Sequence, residues 1–124
     1  MLQTLKKTLK NIPHRAASAM AYSLSGLSLA FKKEESIRLE TIALILLVAI
    51  LALVPWPIWK KITLIAAFML IPLTELLNSA LEDLCDLVSP QYNEKIKSAK
   101  DKASAAVLIA IIIAIFTLFA LIAF

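Results

Sequence analysis

Glu75, Asn78 and Glu82 recur at i, i+3 and i+7, so a helix places them on one face, at the end of the apolar run Ile62 to Thr74. Ionisable groups in so apolar a setting are expensive and mark a functional site with a polar partner by default. Two carboxylates with an amide between them suit two kinds of chemistry: taking a proton from a hydroxyl, and holding a hard cation through oxygen. Asn78 can donate to one carboxylate and accept from a substrate. Asp86 extends the stripe by a turn, whereas Asp83 falls off it. The competing structural reading is a polar seam that joins helices in an oligomer.

The elements that hold this stripe are membrane spans. Of the 124 residues 60% are hydrophobic, and Gly26 is the single glycine. Thr41 to Trp59 and Ala103 to Phe124 contain no charged residue, and Ile62 to Leu81 contains only Glu75. Each run is long enough to cross a hydrocarbon core of about 30 Å as a helix. The expected fold is an all-α membrane protein with three transmembrane helices, at about 38–59, 62–87 and 99–124, forming a domain over 37–124. Residues 1–36 form an amphipathic surface helix region. There Leu2, Leu5, Leu9 and Ile12 make one apolar stripe, with Lys6, Lys7 and Lys10 turned away, and Met20, Leu24, Leu27 and Phe31 make a second. Pro13 between them is expected to break the helix or open a new first turn. Met1 to Lys10 lacks the apolar core of a signal peptide, so the N-terminus is expected to be retained.

Charge orients the spans. Lys6, Lys7, Lys10, Arg15, Lys32, Lys33 and Arg38 precede the first span, Lys95, Lys97, Lys100 and Lys102 lie between the second and third, and only Lys60 and Lys61 fall in the first connection. The N-terminus and the 88–102 segment are therefore expected in the cytoplasm. Trp56 and Trp59 read as interfacial anchors. Counting from Ile62 at the outer surface, the helix reaches Glu75 after roughly 20 Å and Glu82 after roughly 30 Å. A lipid headgroup hydroxyl can then approach Glu75 from the bilayer while a water-soluble reagent approaches Glu82. Pro72 is expected to loosen the helix just before Glu75 and free a carbonyl.

Several classes are excluded. One glycine cannot build a P-loop or a dinucleotide-binding turn, so bound phosphate would be held by side chains and metal ions. His14 and Cys85, one of each, make neither a zinc site nor a Cys-His nucleophile, and any metal ligands would be carboxylates, favouring magnesium. The net charge of +4 suits anionic headgroups, not nucleic acid. Ser98 and Asp101 fit a helix-capping box. In the alternative, Lys100 neutralises phosphate and Asp101 holds a nucleotide group. Outside enzymes, a proton-coupled exporter or a structural membrane adaptor would each use one membrane glutamate.

The run Glu75-Leu-Leu-Asn78-Ser79-Ala80-Leu-Glu82-x-x-x-Asp86, followed by Ala99-Lys100-Asp101-x-x-Ser104-Ala105-Ala106-Val107, resembles the signature of the bacterial integral-membrane diacylglycerol kinase family, which includes the undecaprenol kinases. The resemblance extends from about Arg15 onward. It implies a homotrimer in the bacterial inner membrane with composite active sites, phosphorylating a membrane lipid with ATP and Mg2+. By that resemblance Glu75 is the base and Asn78 orients it or the acceptor. Glu34 and Glu82 hold the metal and contact the nucleotide, together with Arg15, Tyr22, Gln91, Tyr92, Asn93, Lys100 and Asp101. Arg15, Glu75 and Ser104 match positions near the lipid. The pattern departs at Gln91 and Asn93, where members often carry an acidic residue and a histidine, at Ala103 in place of a frequent glycine, and at Leu39, a polar position in the diacylglycerol branch. Arg38, Glu40 and Ser79 align the chain with that branch, since undecaprenol kinases tend to carry histidine and threonine where Glu40 and Ser79 stand. Diacylglycerol is therefore the expected acceptor and undecaprenol the alternative.

Overall fold

The computed structural model describes residues 2–89 and 91–124, with side chains from residue 15 onward. The described residues form four helices: α1 (Leu2–Lys33), α2 (Glu35–Leu53), α3 (Ile58–Val88) and α4 (Glu94–Ala123). They belong to two compact units, Met1–Lys33 and Glu34–Phe124.

In the first unit, α1 runs without interruption through Pro13, contrary to the expected break. A proline can remain within a helix when the turn before it forgoes one hydrogen bond. Lys32 and Lys33 close the helix, where cations favour its negative end. Met20, Leu24, Leu27 and Phe31 are exposed. The Leu2, Leu5, Leu9 and Ile12 stripe lies outside the described side chains.

In the second unit, α2, α3 and α4 are each long and apolar enough to cross a membrane. The helix boundaries follow from prolines. Val54 ends α2 in extended conformation (φ −75°, ψ 132°) because Pro55 disfavours helical geometry in the residue before it, and Pro57 (φ −61°, ψ 148°) precedes the first turn of α3. Ser89 ends α3 in the same way before Pro90. Pro72 lies inside α3, which continues past it. The 31 residues of α3 span about 46 Å against a core of about 30 Å, so about three turns exceed the core. The apolar sequence before Trp59 does not stay helical to its end, and Lys60 and Lys61 fall in the opening turns of α3 instead of a loop.

α3 packs most extensively on α4, and α2 packs on α3. Ala67, Ala110 and Ala114 are buried, Ala114 completely, and such small side chains let membrane helices approach closely. Leu51, Leu64 and Leu121 form a core from all three helices, covered by Leu47, Trp56, Ile65, Phe68 and Leu118. Most other large apolar side chains face outward, as expected where lipid is the solvent. The hydroxyls of Thr41, Thr63, Thr74 and Thr117 donate to carbonyls of their own helix four residues earlier, so none is left unpaired in an apolar segment.

At the end of the unit remote from the acidic stripe, Lys60 Nζ donates to the carbonyl of Leu121 at 2.8 Å. It also lies 5.6 and 5.7 Å from the ring centres of Trp56 and Trp59. The ammonium thus satisfies an orphan carbonyl at the C-terminus of α4, where positive charge is favoured, and ties it to the start of α3. Lys60→Met keeps the stem and removes the charge. It is expected to cost about 1.5–3 kcal/mol, the worth of a hydrogen bond to a charged group, and to lower the thermal midpoint in detergent. An unchanged midpoint would show that the contact holds nothing together.

Candidate functional site at the α2, α3 and α4 junction

Glu75, Asn78 and Ser79 are half-buried on α3, and Glu82 and Asp86 are exposed toward its end. Asn78 Nδ2 donates to Glu82 Oε1 at 3.2 Å. The other half of the Asn78 amide, Oδ1, is buried and among the described residues accepts no hydrogen bond. An unpaired amide oxygen in such a helix face is costly, and this one keeps an unmet capacity to accept a hydrogen bond.

Glu34 reaches the same stripe from α2. It is the residue where α1 stops and α2 begins, and its Oε1 accepts from Ser79 Oγ at 3.0 Å. Ser79 and Glu82 are three residues apart and share a helix face, so the hydroxyl draws a second carboxylate to the side that bears Glu82. Nothing in the pattern of residues around Glu34 signals this contact, because it joins positions far apart in sequence. The family resemblance named Glu34 only as a metal and nucleotide ligand. Glu40, one turn into α2, is a further member that residue spacing did not reveal. Its carboxyl lies close enough to Glu75 for their charges to interact, and its buried Oε2 has no hydrogen-bond partner among the described residues.

A second polar group lies where α3 passes into α4. Lys100 Nζ meets Asp86 Oδ1 at 2.6 Å, a charge-assisted bond between the two helices. Asp101 pairs with Lys97 on its own helix at 3.2 Å, an exposed i,i+4 contact worth about 0.3–0.5 kcal/mol. Gln91, Tyr92, Asn93, Lys100 and Asp101 line one cleft of about 390 Å3 together with Asp86, Ser89 and Lys97. The capping box expected at Ser98 and Asp101 does not form. α4 starts at Glu94, Asn93 accepts from the backbone N–H of Lys95 at 2.9 Å, and Ser98 lies a full turn inside the helix. The Asn93 amide oxygen thus satisfies an orphan donor of the first turn of α4. Beside Asn78, an apolar crevice of about 200 Å3 opens between α3 and α4, lined by Thr74, Leu77, Leu81, Ala103 and Ala106. Ser104 is exposed on α4, one turn beyond Asp101, and Arg15 and Tyr22 are exposed on α1, in the first unit.

Three apolar helices with carboxylates, an amide and a lysine gathered toward one end define a small multi-pass membrane protein. The model of the prokaryotic diacylglycerol kinase family matches residues 21–122. The chain is 40% identical over 103 residues to the diacylglycerol kinase of Escherichia coli (strain K12), covering 83% of this chain and 84% of that protein. It is 36% identical over 92 residues to the diacylglycerol kinase of Haemophilus influenzae, covering 74% and 78%. With that of Pseudomonas aeruginosa it shares 34% identity over 97 residues, covering 78% and 79%. The chain belongs to the prokaryotic diacylglycerol kinase family and is a phosphotransferase.

Proposed function

We propose that the chain transfers the γ-phosphate of MgATP to the hydroxyl of diacylglycerol, giving phosphatidic acid, at the cytoplasmic face of the bacterial inner membrane, with its N-terminus on that side. The observation that carries this reading is the meeting of Glu34 with the Glu75, Asn78 and Glu82 face through Ser79. The names of the relatives support the choice of acceptor.

The donor set fits magnesium bound jointly with phosphate. Among the described residues no three acidic, histidine or cysteine side chains gather into a cage. Magnesium typically takes one or two carboxylates and completes its octahedron with phosphate and water. Glu34 and Glu82 would hold it, and when bound it would offset charge on the transferring phosphoryl group. The chain's own residues do the rest. Glu75 accepts the proton as the lipid hydroxyl oxygen bonds to the γ-phosphorus and the bond to the β-phosphate oxygen breaks, releasing ADP. Asn78, fixed by Glu82, holds that hydroxyl through Oδ1. Lys100, released from Asp86, neutralises phosphate, and Asp101, Gln91, Tyr92 and Asn93 form the walls of the nucleotide cleft. By the family resemblance Arg15 and Tyr22 contribute to the nucleotide and Arg15 and Ser104 to the lipid, and the crevice beside Asn78 takes apolar substrate. Three helices of this size cannot enclose both substrates, so copies assemble with composite sites, and the number three is what the family resemblance implies.

Diacylglycerol and undecaprenol presented together in one mixed micelle, with labelled ATP and magnesium, test the acceptor. Label is expected mainly in phosphatidic acid. Label mainly in undecaprenyl phosphate would reassign the acceptor while keeping the chemistry.

A further inference from the structure

Glu34 occupies the N-cap of α2 (φ −96°, ψ 120°), yet its side chain makes no capping hydrogen bond. A carboxylate there would ordinarily be drawn back to the orphan N–H groups of the first turn and to the positive end of the helix dipole. Instead Oε1 takes its bond from Ser79, on a different helix. Ser79 is unusual in turn. The hydroxyls of Thr41, Thr63, Thr74 and Thr117 fold back onto carbonyls of their own helix, the default in an apolar segment, whereas that of Ser79 is directed across to α2. Two local preferences are given up for one contact between helices.

We propose that Ser79 is a positioning residue for the metal site. Its hydroxyl holds the Glu34 carboxylate away from the N-terminus of α2 and on the α3 face that carries Glu82, with the second Glu34 oxygen left to ligate the ion. Without the hydroxyl, Glu34 turns back to cap its own helix and the ion loses one of its two protein ligands. This rests on the reading of Glu34 as a metal ligand. Outer-sphere partners of this kind change metal affinity by about 10–100-fold when removed.

The test uses the full-length protein in mixed micelles with Mn2+ as the probe and the β,γ-methylene analogue of ATP, so that no turnover occurs and bound Mn2+ is read by electron paramagnetic resonance. Ser79→Ala is expected to weaken Mn2+ binding about tenfold or more, and Ser79→Thr, which keeps the hydroxyl, to bind as the wild type does. Glu34→Gln is expected to weaken binding at least as much, and Ser79→Ala added to it to change nothing further. Wild-type Mn2+ affinity in Ser79→Ala beside weak binding in Glu34→Gln overturns the role of Ser79 and leaves Glu34 as a ligand. Equal losses in the Ala and Thr variants also overturn it, since the hydroxyl is then not the acting group. Undiminished binding in Glu34→Gln overturns the metal reading itself and this proposal with it.

Discussion

Glu75→Gln is expected to lower phosphoryl transfer by about 10²–10⁴-fold, the usual contribution of a positioned general base, while nucleotide binding is largely kept. The substitution preserves shape and can still donate or accept a hydrogen bond, so any loss reports the missing proton acceptor. Nucleotide binding is expected to be spared because the cleft proposed for it, lined by Lys100, Asp101 and Tyr92, lies at the end of α3 and the start of α4. Glu75 precedes Glu82 by seven residues, about 10 Å along the helix. Near-normal turnover in Glu75→Gln would remove it as the base and direct attention to Glu40, whose carboxyl is its electrostatic neighbour.

Glu82→Gln is expected to raise the magnesium concentration needed for half-maximal activity and to weaken nucleotide binding with it. The loss should reach at least the 10–100-fold seen when groups outside a metal's coordination shell are altered. The change also disturbs Asn78, whose amide now donates to a carboxylate oxygen at 3.2 Å. A neutral amide would accept that bond more weakly and compete as a donor. Loss of magnesium response and of acceptor positioning should therefore appear together. An unaltered magnesium titration in Glu82→Gln would exclude Glu82 from the metal site.

Much of this was legible in the sequence because membrane helices impose strong patterns. Three apolar runs announced three helices, and the spacing of Glu75, Asn78 and Glu82 announced a shared face, since both features depend only on local periodicity. Helix ends were less legible. The uncharged run to Trp59 hid the stop that Pro55 enforces at Leu53, and Ser98 with Asp101 mimicked a cap that Asn93 supplies a turn earlier. Pro13 looked like a break in α1 and is not one. Contacts between helices left no local trace. The bonds from Ser79 to Glu34 and from Lys100 to Asp86, and the proximity of Glu40 to Glu75, join separate segments, so spacing within one helix cannot reveal them. Lys60 illustrates the same point at the other end, where a residue read as part of a loop caps α4 through Leu121.

The most direct test of the account is transfer of labelled γ-phosphate from ATP, with magnesium, to diacylglycerol in mixed micelles by the purified protein, beside Glu75→Gln of matched helicity. The account predicts label in phosphatidic acid for the wild-type chain and almost none for the variant. Folded wild-type protein that labels neither diacylglycerol nor undecaprenol would contradict the account and leave Glu75 to cation exchange or to helix assembly.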